Sequence, residues 1–177
     1  GNIDFIDGKN VTDPYFEENE TERISTQFQL NHQLSDKASF TVKNSFNFYD
    51  RSVEIPDFLF SGNQSSTFSE ANISLVEEHT EWIIGLNLWT DSFDQVEGTS
   101  SSNLSFSDAV VGAFVQNIWN MRPLWTLETG FRVDNHSDYG VFALPRVSVM
   151  YEPSPELTLR FGGGLGYKAP TVFSEDA

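Results

Sequence analysis

Apolar and polar residues alternate with a period of two along most of the chain. Between residues 24 and 34, Ile24, Phe28 and Leu30 share one parity, whereas the positions between them carry mainly Ser, Gln and Asn. Successive side chains of a β-strand point to opposite faces, so this segment predicts a strand with one apolar and one neutral-polar face. No segment has the 3.6-residue apolar stripe of a helix. The eight strands predicted in this way lie at about 24–34, 38–48, 71–75, 82–88, 111–115, 125–133, 141–151 and 157–167.

The predicted connections alternate between short and long. Tight turns are expected near 35–37, 77–80, 120–123 and 152–156, and longer polar loops at about 50–67, 92–108 and 135–140. Outer-membrane barrels combine short periplasmic turns with longer extracellular loops. The pattern therefore predicts an all-β fold, in which an antiparallel up-and-down meander of about eight strands forms part of a transmembrane β-barrel.

Four large aromatic residues lie next to the predicted tight turns, and by parity all four fall on the apolar face. An aromatic ring with a polar edge favours the boundary between lipid and water, where barrels carry aromatic girdles. The predicted interfacial aromatics are Trp82, Trp119, Trp125 and Tyr151.

The alternation alone leaves the direction of the two faces open. Small neutral side chains on the polar face suit a wet barrel lumen, with the apolar face toward lipid. A β-sandwich with a solvated outer face gives the same alternation. The alternative function is therefore that of a self-contained small β-barrel or β-sandwich, a binding or adhesion module. It is favoured if the first and last strands pair with each other.

Charge and composition narrow the classes of function. The formal net charge of -16 argues against a nucleic-acid partner, which requires a basic surface. Acidic residues crowd the start of the chain, so we expect an acidic loop segment over 1–22 and barrel strands over 23–177. The chain has no Cys, which excludes a disulfide framework and a thiolate metal site. No run of apolar residues is long enough for a transmembrane helix.

The sequence predicts no catalytic, cofactor or metal site. His32 lies within a predicted strand, His79 near a tight turn, and His136 in a predicted long loop on the opposite side. Metal ligands must converge, so a histidine metal site is not expected. No nucleophile and base have a recognisable spacing, and we therefore expect no enzyme and no cofactor.

The last third of the chain carries a specific resemblance. The run Gly130-Phe131-Arg132-Val133-Asp134, followed by Pro145-Arg146, resembles the "G-x-R-x-D … P-R" succession of TonB-dependent receptor barrels. Leu159-Arg160, then Gly166-Tyr167-Lys168-Ala169-Pro170-Thr171 and Glu175, are similar to that family's "L-R … G-F-R-A-P-T … E". Tyr167 and Lys168 stand in place of the usual Phe and Arg, which keeps an aromatic ring and a cation. The motif residues are Gly130, Arg132, Asp134, Pro145, Arg146, Arg160, Gly166, Lys168, Pro170 and Glu175.

This resemblance implies a function and a set of partners. The family builds a 22-stranded barrel around a plug domain and imports ferric siderophores, cobalamin or glycans, powered by TonB. It implies that the chain is part of a receptor in the bacterial outer membrane that takes up a scarce nutrient such as a ferric siderophore. The expected partners are the lipid bilayer, the remainder of the barrel and the plug, with TonB reached only through that plug. The small-molecule ligand stays unknown, and the chain is expected to be an internal fragment of the barrel.

Overall fold

The chain forms a single antiparallel sheet in a computed structural model, which describes residues 16–99 and 104–169. The eight strands follow the chain in the order β1 to β8, and each pairs with the strands before and after it. They are β1 Glu18–Ser35, β2 Ala38–Ile55, β3 Phe58–Val76, β4 Thr80–Gly98, β5 Phe106–Arg122, β6 Trp125–His136, β7 Gly140–Ser154 and β8 Leu157–Gly164. The predicted all-β, up-and-down meander is confirmed. No helix within the described residues is long and apolar enough to cross a membrane.

The tight turns lie together at one end of the sheet. The predicted turns at 35–37 and 77–80 are confirmed, since β1 ends at Ser35 and β3 ends at Val76. The other two lie nearer the ends of the predicted segments, at 123–124 and 155–156. Backbone hydrogen bonds join neighbouring turns: Val76 N–H donates to the Lys37 carbonyl at 2.7 Å, and Asn120 N–H donates to the His79 carbonyl at 2.8 Å.

The opposite end differs from the prediction. The loops expected over 50–67 and 92–108 are wrong for most of their length, because β2, β3 and β4 continue through them as strands. The two-residue turn of Pro56 and Asp57 joins β2 to β3, and Asp57 has a φ of 64°. A proline followed by a residue of positive φ is the combination that type II turns use. The predicted loop over 135–140 shortens to 137–139, because β6 ends at His136.

The sheet has two distinct faces, here called the outer and the inner face. Cross-strand partners share a face, and the register aligns Leu30, Val42, Ala71, Leu86 and Ala113 across five strands of the outer face. Leu86 is 62% exposed, whereas its inner-face neighbour Asn87 is 4% exposed. The inner face is therefore the concave one. The register confirms one continuous apolar surface for Phe28, Leu30, Phe40, Val42, Ile73, Leu75, Ile84, Leu86, Leu127 and Phe131.

The apolar surface on the outer face does not cover the whole strand length. In β4 the outer positions from Trp82 to Leu88 are apolar, and we call this level of the sheet the apolar band. In β3 and β4 the outer side chains beyond it are polar: the hydroxyl groups of Thr67 and Thr90 lie 2.8 Å apart, and those of Ser65 and Ser92 lie 2.9 Å apart. In β2 the outer residues at the same level are Phe46 and Phe48. The strands thus extend past the band toward the Pro56 end.

The sheet is open, and it does not bury an apolar core of its own. β1 and β8 are its two edges, and no pairing joins them in the part of the chain that the structure describes. A small closed barrel and a two-sheet sandwich are therefore not what these residues form. Phe93 and Val110 are the only buried apolar side chains among them. Of the predicted acidic segment, residues 1–15 lie outside the described part, and the structure places Glu18–Glu22 in β1 rather than in a loop.

Candidate functional site

The central feature of the inner face is a row of residues aligned across β4, β5 and β6. Asn87 pairs with Gly112, and Gly112 pairs with Asp134. Gly112 has no side chain to separate its two partners. A Cβ atom at this glycine would lie 2.5 Å from the Oδ1 atoms of both Asn87 and Asp134. The glycine therefore allows the two polar side chains to approach each other above the β5 backbone.

Arg132 binds both of these side chains. Its Nε donates to Asp134 Oδ1 at 2.6 Å, and one terminal nitrogen donates to Asn87 Oδ1 at 3.3 Å. The hydroxyl group of Tyr167 donates to Asp134 Oδ2 at 3.3 Å. Asp134 is only 3% exposed, so its charge requires this compensation. We call Asn87, Gly112, Arg132, Asp134 and Tyr167 the Arg132 network.

An aromatic stack extends the Arg132 network toward β7 and β8. The rings of Phe142 and Tyr167 lie 4.0 Å apart at an interplanar angle of 5°. Phe142 is the cross-strand partner of Asp134, so the ring lies beside the carboxylate. Tyr167 lies beyond the end of β8 at Gly164, and its stacking holds the chain after β8 against the sheet.

A second arginine uses a glycine in the same way. Gly130 pairs with Arg146, and a Cβ atom at Gly130 would lie 2.9 Å from the Cγ and Nε atoms of that side chain. Arg146 therefore lies flat across β6. One of its terminal nitrogens donates to Gln116 Oε1 at 2.8 Å and also pairs with the Glu128 carboxylate.

The two arginines border a shallow concavity of about 190 Å³, which Glu70, Phe114 and Gln116 also line. The side chain of Arg132 is 38% exposed and that of Arg146 is 56% exposed. A guanidinium group has five N–H donors, and the contacts described above use only some of them. The remaining donors can bind a carboxylate, a phosphate or a carbonyl oxygen on the concave side of the sheet. Nothing in this arrangement supplies a nucleophile.

The structure brings together some of the predicted motif residues and separates others. Gly130, Arg132, Asp134 and Arg146 meet on the inner face. Pro145 points to the outer face as the partner of Phe131. Arg160 instead donates a hydrogen bond to the Met150 sulfur at 3.4 Å. A Cβ atom at Gly166 would meet nothing within 4 Å, and Lys168 is exposed. Pro170 and Glu175 lie outside the described residues.

Three members of the Arg132 network, Asn87, Gly112 and Tyr167, are not among the predicted motif residues. A glycine inside a strand signals the close approach of another group, and Gly112 has that signal. Asn87 has none, because the cross-strand register alone places it beside residues of β5 and β6.

The four predicted interfacial aromatics lie on the outer face, near the tight turns. Trp119 is the cross-strand partner of Leu127, and Trp125 is the partner of Tyr151. The rings of Trp125 and Tyr151 stack at 4.3 Å. Trp82, Trp119 and Trp125 are all more than 40% exposed on this face.

A group of ionisable side chains lies beyond the apolar band, at the level where the outer residues Thr90 and Ser92 are polar. Asp108 pairs with Asp91 across β4 and β5. Its burial and its contact with Asp138 raise the pKa of Asp108 above the usual value. His136 was predicted in a long loop, and this is wrong: it is the last residue of β6 and is buried.

Comparison with known proteins identifies the family. A family model described as "TonB dependent receptor-like, beta-barrel" matches residues 1–177, the whole chain. The chain belongs to the TonB-dependent receptor β-barrel family. This is a family of transporters, typically of the outer membrane, so the chain is part of a transporter barrel and is not an enzyme.

A known transporter and a known receptor are similar to this chain at low identity. The chain is 22% identical over 162 residues to the vitamin B12 transporter BtuB of Vibrio cholerae serotype O1, which aligns with 86% of the chain and 24% of BtuB. BtuB from two further strains gives the same values. The siderophore receptor PirA from Pseudomonas aeruginosa has the same fold, with a TM-score of 0.56 and 12% identity over 90% of this chain and 38% of PirA. The chain thus spans about a quarter of the length of the curated relatives it matches.

Proposed function

We propose that this chain is a segment of the barrel wall of an outer-membrane receptor that imports a scarce nutrient, such as a ferric siderophore, with energy from TonB. The observation that carries the proposal is the two-faced open sheet. Its outer face exposes apolar side chains, which suit lipid, and its inner face combines aromatic with polar side chains and holds the Arg132 network. Both relatives named above are receptors or transporters by description, and their different substrates leave the ligand class open.

The proposal assigns each region of the chain to a place in the receptor. Residues 23–177 form the barrel wall, and Trp82, Trp119, Trp125 and Tyr151 form an aromatic girdle at the periplasmic boundary. The acidic residues Glu18, Glu20 and Glu22 lie at the extracellular end, because Glu18 pairs with Glu54 beside the Pro56 turn. The motif arginines, Arg132 and Arg146, face the lumen, which holds the plug domain and through which the ligand passes. The bilayer, the rest of the barrel and the plug are the proposed partners.

The orientation of the two faces can be tested with single-cysteine variants of the full-length receptor. The chain contains no cysteine, and any cysteine in the rest of the receptor is first replaced by serine, so that each label reports one position. Leu86→Cys on the outer face should react with a lipid-soluble maleimide and should resist a charged one. Ser45→Cys, a matched variant on the inner face, should react with the charged reagent. Equal labelling of both variants by the charged reagent would contradict the assignment of the outer face to lipid.

Transport is tested by growth of a host that lacks its own receptors and expresses the full-length protein. Under iron limitation, a panel of ferric siderophores should restore growth with at least one member, and deletion of TonB should abolish that growth. Cobalamin uptake by the same host tests the other substrate class. Growth that persists without TonB would contradict the proposed energy source, whereas failure with the whole panel and with cobalamin would contradict the proposed substrates.

A further inference from the structure

Three ligand-bearing side chains meet beyond the apolar band, at the end of the inner face opposite the tight turns. They are Asp108 near the start of β5, His136 at the end of β6, and Asp138 in the turn between β6 and β7. One carboxylate oxygen from each aspartate and one ring nitrogen of His136 all lie within 4.8 Å of one another. In sequence, Asp108 is remote from the other two residues, and only the pairing of β5 with β6 brings them together.

Backbone contacts hold these three side chains in place. Val110 is the cross-strand partner of His136, and Asp108 is the next residue of β5 on the inner face. The pairing therefore fixes the imidazole beside the Asp108 side chain. Ser137 N–H donates to the Ala109 carbonyl at 2.8 Å, and Ala109 N–H donates to the Ser137 hydroxyl at 3.2 Å. These two hydrogen bonds hold the turn that carries Asp138 against β5, so the positions of the ligands do not depend on a mobile loop.

The imidazole is buried and lacks a full set of partners. His136 is 2% exposed, and its Nε2 atom has no hydrogen-bond partner. Its Nδ1 atom accepts the backbone N–H of Asp138 at 3.1 Å, so Nε2 is the ring nitrogen that is left without a partner. A buried polar atom without a partner costs free energy.

Apart from His136, neither carboxylate has a basic partner among the described residues. No ion pair joins Asp108 or Asp138 to a lysine or an arginine within residues 16–99 and 104–169. The two side chains are close enough to share a hydrogen bond, and Asp91 adds a third carboxylate from β4. Neighbouring carboxylates repel each other unless a proton or a cation lies between them. The site therefore favours a positive ion.

We propose that Asp108, His136 and Asp138 bind a divalent transition-metal cation of the Zn²⁺ class at the end of the sheet opposite the tight turns. One imidazole nitrogen and two carboxylate oxygens are ligands that Zn²⁺ accepts, and three protein ligands leave one tetrahedral position for water or another group. Ca²⁺ instead takes six to eight oxygen ligands. Bound metal would join the β6–β7 turn to β5. This proposal does not depend on the transport function proposed above.

The test measures Zn²⁺ binding by the full-length receptor in detergent, after treatment with a chelator and dialysis. In competition with a chromophoric chelator, the wild-type receptor should bind one equivalent more than His136→Gln, or bind it at least about tenfold more tightly. His79→Gln is the matched control, because His79 is exposed at a tight turn at the other end of the sheet. It should bind as the wild type does. Co²⁺ should give four-coordinate visible bands in the wild type that His136→Gln lacks.

A second variant distinguishes loss of the metal site from misfolding of the receptor. Asp138→Asn changes an exposed turn residue, and folding of every variant is checked by heat-modifiable mobility in gel electrophoresis. Zn²⁺ should raise the Tm of the wild type and of His79→Gln, and should leave the Tm of Asp138→Asn unchanged. Equal Zn²⁺ binding by the wild type and His136→Gln would overturn the proposal. Binding of Ca²⁺ without Zn²⁺ would overturn it as well.

Discussion

Substitution of Gly112 by alanine is a direct test of the Arg132 network. The new Cβ would lie 2.5 Å from the Oδ1 atoms of Asn87 and Asp134, and ordinary contact begins at 3.4 Å. Each oxygen must therefore retreat by about 0.9 Å, unless the strands separate. Asp134 Oδ1 is the atom that accepts the 2.6 Å bond from Arg132, so the retreat strains the strongest contact of the network.

The expected loss of stability follows from two opposing effects. A hydrogen bond to a charged group contributes about 1.5–3 kcal/mol, and Asp134 is too buried for water to replace it. Replacement of glycine by alanine reduces the entropy of the unfolded chain and returns about 0.4–1 kcal/mol. We therefore expect Gly112→Ala to lower the free energy of unfolding by about 1–2 kcal/mol.

The measurement is urea-induced unfolding of the full-length receptor in lipid vesicles, followed by tryptophan fluorescence. Gly163→Ala is the matched control, because a Cβ at this strand glycine would meet nothing within 4 Å. Its stability should change by less than about 0.5 kcal/mol. In an Asn87→Ala background one of the two conflicts is absent, so Gly112→Ala should cost less there. The reasoning is refuted if Gly112→Ala and Gly163→Ala have the same effect.

Three further substitutions test other parts of the sheet. Leu86→Arg, within the apolar band, should lower the free energy of unfolding of the receptor in vesicles by about 2–4 kcal/mol. Ser45→Arg on the inner face should lower it much less, and equal losses in urea unfolding would contradict the assignment of the faces. Asp134→Asn should lower the urea midpoint by an amount equivalent to about 1–2 kcal/mol, because Arg132 loses its charged partner but stays partly hydrated; an unchanged midpoint would mean that the pair contributes nothing. Trp125→Ala removes the stack on Tyr151 and should lower the Tm, at a cost of about 0.5–1.5 kcal/mol beyond the lost apolar contact, and a Tm equal to that of the wild type would argue against a stabilising stack.

The strands and their two faces could be predicted from the sequence, because side-chain direction in a strand depends only on the parity of the position. This rule needs no neighbouring strand, and it assigned Phe28, Leu86 and Phe131 to the same face. Tight turns at 35–37 and 77–80 were predicted for a similar reason, since short polar segments interrupt the alternation there. The motif residues Arg132 and Arg146 were found through family resemblance, although their geometry was not.

The lengths of the strands and the contacts of the inner face were decided only by tertiary structure. In β3 and β4 the outer positions beyond the apolar band are polar, as at Thr67 and Thr90, so the alternation disappears there while the backbone ladder continues. Hydrogen bonds to neighbouring strands maintain a β-strand even where the sequence has no alternating apolar pattern that would indicate it. The Arg132 network and the Asp108–His136 group depend on register, which aligns residues that are far apart in the chain. The sequence of a strand specifies which face each of its side chains points to, but the pairing of strands determines which side chains of other strands lie next to it.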